Sequence, residues 1–553
     1  MKEKLIILGA GVMQGPVISI AKELGFFAIA LDVDPAAPSV GMADQFEQID
    51  LKDKEEIEAF AAKTQREGGL CGIMTAGTDF SASVAWVSER LGLPGIPYQA
   101  ALNASDKSIM RGCFEAAGLP SPRYAEINAA DKSIPFADAD FPLVIKPVDN
   151  MGSRGCRRLD NMDEFEAAAA AALGFSRSGR AIVEDFMEGP EFSVDAIVYR
   201  GDITICGLAD RHIFFPPYFI EMGHTMPTTA ELPQREAILQ TFCAGIRSLG
   251  LAGKDSVGAA KGDIKLTPKG PMIGEIAARL SGGYMSGWTY PYSSGVRPIQ
   301  SAILIAAGRK PEDFAPRKEW TCAERAFISI PGTVKALVGH ASLNERPLVK
   351  DVFLRVGAGN KVTFPENNVT KCGNVLAAAS TRKEAVKAAE DAVRSVLIRL
   401  ECGDPDTDSF LAARKSAFPP DAFRLSAALE DELAKIPPTK VAAGGEPCLA
   451  PFPALAESGL KDYAGRSVEE SLQAVRILTG FSLGKTHESA DNITVLGRTF
   501  WEALVRGSYQ GAVYYIDCLG LPEGAKGAKG AGAKGESGAS GAKVASESKG
   551  AKG

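Results

Sequence analysis

Short apolar runs and helix-patterned runs take turns along the first hundred residues, and this alternation narrows the possible folds more than any other feature of the chain. LIILGAG ends a strand in a glycine turn, GPVISIAKELG carries an amphipathic pattern closed by Gly25, and FFAIALDVDP ends a second strand in acid and proline. GLCGIMTAGTD and SASVAWVSERLGLPG repeat the order. A helix joining two strands crosses over the sheet and leaves the strands parallel, so the repetition predicts a doubly wound sheet. Gly9-Ala10-Gly11 followed by Asp32 has the outline of a dinucleotide fingerprint, but the third glycine falls due at Gln14, and Gly15 is one residue late. The spacing favours a βαβ unit with a tight glycine turn over an NAD site.

Beyond Lys107 the pattern changes. DKSIMRGCFEAAG reads as a helix stopped by Gly118 and Pro120; FPLVIKP, AIVEDFM and EFSVDAIVY read as strands, with the helix MDEFEAAAAAALG after the first. ITICGLADRHI is another strand, GDIKLTPKGPMIGEIAAR a hairpin turning at 268–270, and VRPIQSAILIAAG a helix. Strands in runs indicate an α+β region. Residues 320–400 hold short strands (AERAFISI, VFLRV) and end in a predicted helix, KEAVKAAEDAVRSVLIRL. From 403 to 521 the signal is mostly helical and broken by prolines. GFSLGKT, at 480–486, imitates a Walker A loop but has three residues between its glycines where four are needed. Residues 524–553 carry glycine nearly every third position, yet the register slips and proline is absent, so a flexible basic tail is expected and not a collagen helix.

Composition removes several function classes. A net charge of −7 with no basic stripe before the tail argues against a nucleic-acid partner. Ten scattered cysteines without a CxxC pair fit a reduced, cytoplasmic setting in which most act as small core residues. The start MKEKLIILGAG resembles no signal peptide, and no run of eighteen apolar residues occurs, so neither secretion nor a membrane span is expected.

The chemistry concentrates in FPLVIKPVDNMGSRGCRR, at 141–158. An apolar strand delivers Lys146 to the mouth of a sheet, and the next loop offers backbone N–H groups at Gly152, Ser153 and Gly155. Cation plus free amides suits phosphate; a hairpin with a basic tip is the plainer alternative. Downstream, the predicted hairpin places Asp263 on one strand and Glu275 on the next, near one end of the pair. Two carboxylates there suit Mg²⁺ held against a polyphosphate, and Arg279 can reach a carboxylate or acyl phosphate bidentately.

Taken together, these segments resemble the ATP-grasp ligases. The order is Asp106-Lys107, Ile145-Lys146-Pro147 through Ser153-Arg154-Gly155, Val183-Glu184-Asp185-Phe186 with Gly189 and Glu191-Phe192-Ser193-Val194, then Glu275-Ile276-Ala277-Ala278-Arg279 with Gly282-Gly283. The resemblance covers residues 4–400. It implies an α/β and α+β multidomain chain: a pre-ATP-grasp α/β domain (1–105), an ATP-grasp domain (106–318), a C-terminal α+β lobe (319–402), a mostly helical extension (403–521) and the low-complexity tail (522–553). It further implies that Lys107 and Lys146 bind ATP phosphates and that the 149–155 loop, with Gly152, Ser153 and Gly155, folds over them as a lid. Glu184, Asp185, Phe186 and Met187 would hold adenine through backbone groups, and Glu191 the ribose. Asp263 and Glu275 would ligate Mg²⁺, and Arg279 would stabilise the acyl phosphate. The family commonly has asparagine where this chain has Ala277, which leaves the second metal position short of an oxygen ligand.

Enzymes of this kind phosphorylate a carboxylate and let an amine displace the phosphate, releasing ADP. The variable stretch RHIFFPPYFIEMGHTMPTTAELP, with Glu221-Met222-Gly223-His224, resembles the amino-acid ligase branch, and His224 is a candidate substrate contact or base. The expected partners are ATP, a small carboxylate and an amine, with a homodimer as the expected assembly. Two alternatives stay open: a purine-biosynthesis or biotin-carboxylase-like enzyme, and a nucleotide-binding protein weakened in catalysis.

Overall fold

The computed structural model describes residues 2–131, 134–442, 447–485 and 493–521. Its first sheet contains β1 (Lys4–Leu8), β2 (Phe27–Asp32), β3 (Gln45–Gln48) and β4 (Leu70–Met74), ordered β3-β2-β1-β4 and parallel throughout. Both faces of β1 are buried: Leu5 and Ile7 pack in one cluster, Ile6 and Leu8 in another. That explains a strand apolar at every position. In the glycine turn, Asp32 Oδ2 accepts from the Ala10 N–H at 2.8 Å, and the Gln14 side chain packs over Gly9 and donates to the Ala76 carbonyl. The side chain that breaks the dinucleotide spacing thus fills the turn itself.

A second sheet holds β5 (Tyr124–Asn128), β6 (Leu143–Pro147), β7 (Arg157–Leu159) and β8 (Arg180–Asp185), ordered β5-β8-β6-β7 and covered by the helix Phe165–Phe175. The remaining strands up to residue 400 are β9 (Glu191–Tyr199), β10 (Asp202–Phe214), β11 (Ile220–Met226), β12 (Val257–Thr267), β13 (Gly270–Ala277), β14 (Thr321–Phe327) and β15 (Gly332–Val338). They are followed by β16 (Val349–Leu354), β17 (Lys361–Val362), β18 (Gly373–Ala379) and β19 (Leu397–Leu400). Eight of them form one sheet, ordered β13-β12-β9-β10-β11-β14-β18-β16. Strands β14, β16 and β18, from the segment expected as a lobe of its own, therefore extend the same sheet that carries the hairpin.

One element differs from the sequence expectation. The helix Arg382–Ser395 stops before Val396, and Leu397–Leu400 forms a strand paired with β15. Val396, Leu397, Ile398 and Leu400 are all buried, a density of apolar side chains that one face of a helix cannot cover.

Among the described residues of 403–521, five helices ending in Arg498–Cys518 build a core around Phe423, Leu455, Val475, Phe500 and Leu504, which Leu397 of β19 joins. The expectation of a mostly helical unit lacked one feature: β20 (Cys448–Leu449), β21 (Gly484–Lys485) and β22 (Val495–Leu496) form a small parallel sheet. In the Walker-like stretch, Gly480 is the left-handed C-cap of the helix Val468–Thr479, so it ends a helix and opens none. The glycine-rich tail lies outside the described residues. Among the described residues no helix is long and apolar enough to cross a membrane.

Candidate active site

Between the β5–β8 sheet and the long sheet lies a cavity of about 380 Å³, within the range of a small-molecule site. Strand alternation supplies its cation from β6: Leu143 and Ile145 point into the core under the Phe165–Phe175 helix, so Val144 and Lys146 face the cavity. Lys146 Nζ lies 2.6 Å from Glu184 Oε2, and Glu184 Oε1 also accepts from Arg111 Nε at 2.7 Å. Burial pushes the Glu184 carboxyl up, but the two cations outweigh it and hold the group at about 2. Arg111 also donates to the carbonyls of Ile273 and Gly274 and so ties this pair to β13.

Lys107 opens the helix Lys107–Ala116, whose cap Asp106 accepts from the Ser108 and Ile109 N–H groups. That cap fixes where Lys107 points. Its Nζ donates to the Asn150 carbonyl at 2.8 Å and lies 3.2 Å from Glu275 Oε2. Burial lowers its pKa, yet Glu275 and Asp79 raise it further, so it stays an ammonium. The adjoining loop is glycine-rich for a conformational reason: Gly152, Ser153 and Gly155 all have positive φ, and Phe175 crowds Gly155. Asn368 anchors the loop from the far end of the long sheet, giving its N–H to the Gly152 carbonyl and its amide to Ser153 Oγ.

In the hairpin, Asp263 and Glu275 are direct register partners, and both line the cavity. Asp263 accepts from Ser193 Oγ at 2.9 Å, forms an ion pair with Arg211 Nη1 at 2.9 Å and contacts Lys261 Nζ. Arg211 also holds Glu191 and Glu221, making it the hub of three carboxylates. Ala277 pairs in register with Lys261 and brings no oxygen side-chain ligand. The buried Arg279 donates to the Leu280 carbonyl at 3.2 Å, while its Nε makes no hydrogen bond among the described residues, with Asp79 Oδ1 at 3.9 Å. A buried, unbonded guanidinium N–H at a cavity wall fits an anionic ligand.

The hinge after β8 is partly occupied by the chain itself. Asp185 turns its side chain to Arg123, the Phe186 N–H goes to the Pro142 carbonyl, and Lys265 Nζ donates to the Met187 carbonyl at 3.0 Å. The Phe186 ring stacks with Phe219 at 6.3 Å, giving the cavity an aromatic end suited to a planar base. Glu191, at the start of β9, lies 3.8 Å from Lys265.

On the opposite wall His224 is buried, with Nδ1 at 2.9 Å from Glu324 Oε2 and Nε2 at 3.5 Å from Glu221 Oε2. Burial pushes the Glu221 carboxyl up, but His224, Arg211 and Lys371 draw it well below the usual carboxylate range. Lys371 donates to the Glu221 carbonyl at 2.6 Å.

The structure thus brings every sequence-derived candidate except Gly155 into the wall of one cavity, and Gly155 shapes the loop beside it. Sequence reasoning missed Arg111, Arg211, Lys261, Lys265, Arg355, Lys371 and the buried Asp195. Asp195 receives the Ser281 N–H and hydroxyl at 2.7 and 2.6 Å and so fixes the turn after Arg279. A signal for some was available: Glu191, Ser193 and Asp195 on β9, and Lys261, Asp263 and Lys265 on β12, recur every second residue among apolar neighbours, marking one polar face. In all, nine lysines and arginines line the cavity against six carboxylates, an excess suited to a polyanion.

Comparison with known proteins agrees. Residues 139–286 match the ATP-grasp domain model and residues 326–401 the model for L-amino acid ligase C-terminal domain 2. The chain is 26% identical over 388 residues to uncharacterized protein y4rH of Sinorhizobium fredii, covering 68% of this chain and 79% of that one. It is 24% identical to carnosine synthase 1 of Gallus gallus over 69% of this chain, but spans only 44% of that relative's length. The crystal structure of L-amino acid ligase from Bacillus licheniformis superposes with a TM-score of 0.63 at 20% identity, covering 72% of this chain and 99% of that one. With a lysine-lined cleft between two sheets and a paired-carboxylate hairpin beside these matches, the chain carries an ATP-grasp domain at 139–286 and an L-amino acid ligase C-terminal domain 2 at 326–401.

Proposed function

We propose that the chain is an ADP-forming ligase that activates a small carboxylate, an amino acid in the first instance, as an acyl phosphate for attack by an amine. The observation that carries this reading is the single cavity in which excess cations, the Asp263–Glu275 pair and the buried Arg279 share one wall system with Glu221 and His224. A substrate carboxylate oxygen attacks the γ-phosphorus of ATP, the bond from that phosphorus to the β–γ bridging oxygen breaks, and ADP leaves. The amine nitrogen then attacks the acyl carbon, its proton passes to a base, and the acyl C–O bond to phosphate breaks.

Lys107 and Lys146 sit where they would neutralise phosphate oxygens, and the 149–155 loop supplies backbone N–H groups beside them. Phe186 and Phe219 would form the aromatic wall against which adenine lies, with Glu191 toward the ribose. Mg²⁺, held by Asp263 and Glu275, would supply charge neutralisation of the transferring group. With Ala277 bare and Lys261 already against Asp263, the residues present fit one ion on the two carboxylates, complemented by a fixed ammonium. Arg279 offers its unbonded Nε to the acyl phosphate, Glu221 suits the ammonium of an amino acid, and His224, between Glu221 and Glu324, would contact the same substrate. A purine-biosynthetic or carboxylase-like enzyme would share the nucleotide residues; the match at 326–401 favours the amino-acid side.

Phosphate release with ATP, Mg²⁺ and a panel of amino acids tests the reading. ADP should accumulate with a subset of acids, and hydroxylamine should trap the activated acid as a hydroxamate. Production of AMP and pyrophosphate would assign a different activation chemistry, and nucleotide binding without turnover for any acid would favour the binding-protein alternative.

A further inference from the structure

Eight of the ten cysteines are buried or half-buried; the two exposed ones are Cys402 and Cys518. They lie 116 residues apart in sequence, yet their Sγ atoms are 2.8 Å apart. Their places in the chain give the contact a meaning. Cys402 follows β19 and stands one residue past the end of the second family match, at the entrance to the extension; Cys518 is the last residue of the extension's final helix.

The backbone on both sides is held in register. Arg399 on β19 donates to both carboxylate oxygens of Asp517 at 2.9 and 2.6 Å. Tyr514, one turn before Cys518, donates to the Asp404 carbonyl at 3.0 Å and to Asp408 Oδ1 at 2.6 Å, and the Ile398 N–H donates to Tyr509 Oη at 2.9 Å. These attachments hold β19 and the start of the extension against its final helix, which is how the two Sγ atoms come to face each other as a crosslink demands.

We propose that Cys402 and Cys518 are a thiol–disulfide modification site, at which oxidation by a small-molecule disulfide such as glutathione disulfide closes the extension covalently at its base. One protein thiol loses its proton and attacks the oxidant, releasing one small thiol and leaving a mixed disulfide. The second thiol loses its proton, attacks the protein sulfur and expels the other small thiol. Two protein thiols are oxidised and one small disulfide is reduced to two thiols, which balances the step.

The surroundings set the tempo. Burial first, then the Cys518 thiol, Asp517 and Asp408, push the Cys402 thiol up to about 11. Few thiolates exist near neutral pH, so the bond forms slowly; a thiol of high pKa is also a poor leaving group, so it is reduced slowly. These are the properties of a durable staple and not of a fast sensor. Joining entrance to exit removes conformational freedom from the unfolded extension, which stabilises its folded form.

The full chain, incubated with glutathione disulfide and then alkylated, tests this by mass spectrometry of its proteolytic fragments. The expected result is a linked peptide pair containing Cys402 and Cys518, absent from Cys402→Ser and Cys518→Ser, with both thiols shielded from alkylation. Oxidised wild type should unfold at a higher denaturant concentration than reduced wild type, while Cys402→Ser should give one midpoint under both conditions. Separate glutathione adducts on each cysteine, or a link between two chains, would overturn the proposal. So would two thiols that remain fully alkylated after oxidation.

Discussion

A carboxylate buried between two cations favours one charge state, and Glu184 shows what that implies for pH. Its folded pKa of about 2 lies below the ordinary 4.5 because Arg111 and Lys146 outweigh the cost of burial. A group depressed on folding contributes stability that is fully present above pH 4.5 and is lost as pH falls toward 2. The contribution is about 3 kcal/mol, because each tenfold change in proton affinity between the folded and unfolded chain is worth roughly 1.4 kcal/mol. Denaturant unfolding measured from about pH 6 to about pH 2 should show this loss, and Glu184→Gln, which cannot titrate, should show a shallower decline. Equal slopes in the two proteins would mean that the pair does not couple folding to protons. Lys146 was legible in the sequence because a strand runs straight into it; its partner Arg111, one cation inside an amphipathic helix, looked like any solvated side chain until the fold closed over it.

At the scale of elements, the glycine in Glu221-Met222-Gly223-His224 is as much a part of the site as the charges that flank it. Gly223 has φ +152°, and a Cβ there would stand 2.0 Å from the Glu324 carbonyl oxygen. The close approach of β11 to β14 at this point brings His224 and Glu324 together. Gly223→Ala should push the strands apart and destabilise the protein by about 2 kcal/mol or more, as forced backbone shifts in a core do. An unchanged denaturation midpoint would show that the strand can move freely. The hairpin β12–β13 was readable from its turn residues and alternation as far as the pair Ile264 and Ile273; the turn alone would set Asp263 against Gly274, and a register shift between Asp263 and Ile264 brings it opposite Glu275 instead. The strand at Leu397–Leu400 was not readable: a preceding helical period ran into it with no glycine or proline between, and only its partner β15, about sixty residues earlier, decides its form.

At the scale of the whole molecule, the extension packs behind the aromatic wall of the cavity. The segment joining β10 to β11 turns Phe219 into the cavity, where it stacks with Phe186. On its outer side Phe215 packs edge-on against Phe364 at 5.2 Å and Tyr463 at 6.0 Å, and Tyr218 packs against Phe418 at 4.7 Å. Tyr463 and Phe418 belong to the extension, and Tyr463 Oη donates to the Arg506 carbonyl at 3.1 Å, fastening the cluster to the helix Arg498–Cys518. An aromatic pair contributes about 1 kcal/mol beyond the area it buries, so removing Phe418 should loosen the segment that holds Phe219. Phe418→Ala should therefore weaken ATP binding in calorimetry by roughly five-fold, the equivalent of about 1 kcal/mol. Leu472→Ala, which opens a cavity in the extension's core without removing a ring from this cluster, should lower stability yet leave ATP affinity unchanged. The contrast separates positioning from general damage: if both substitutions weaken ATP binding alike, the extension acts only through stability, and if neither does, the wall stands without it.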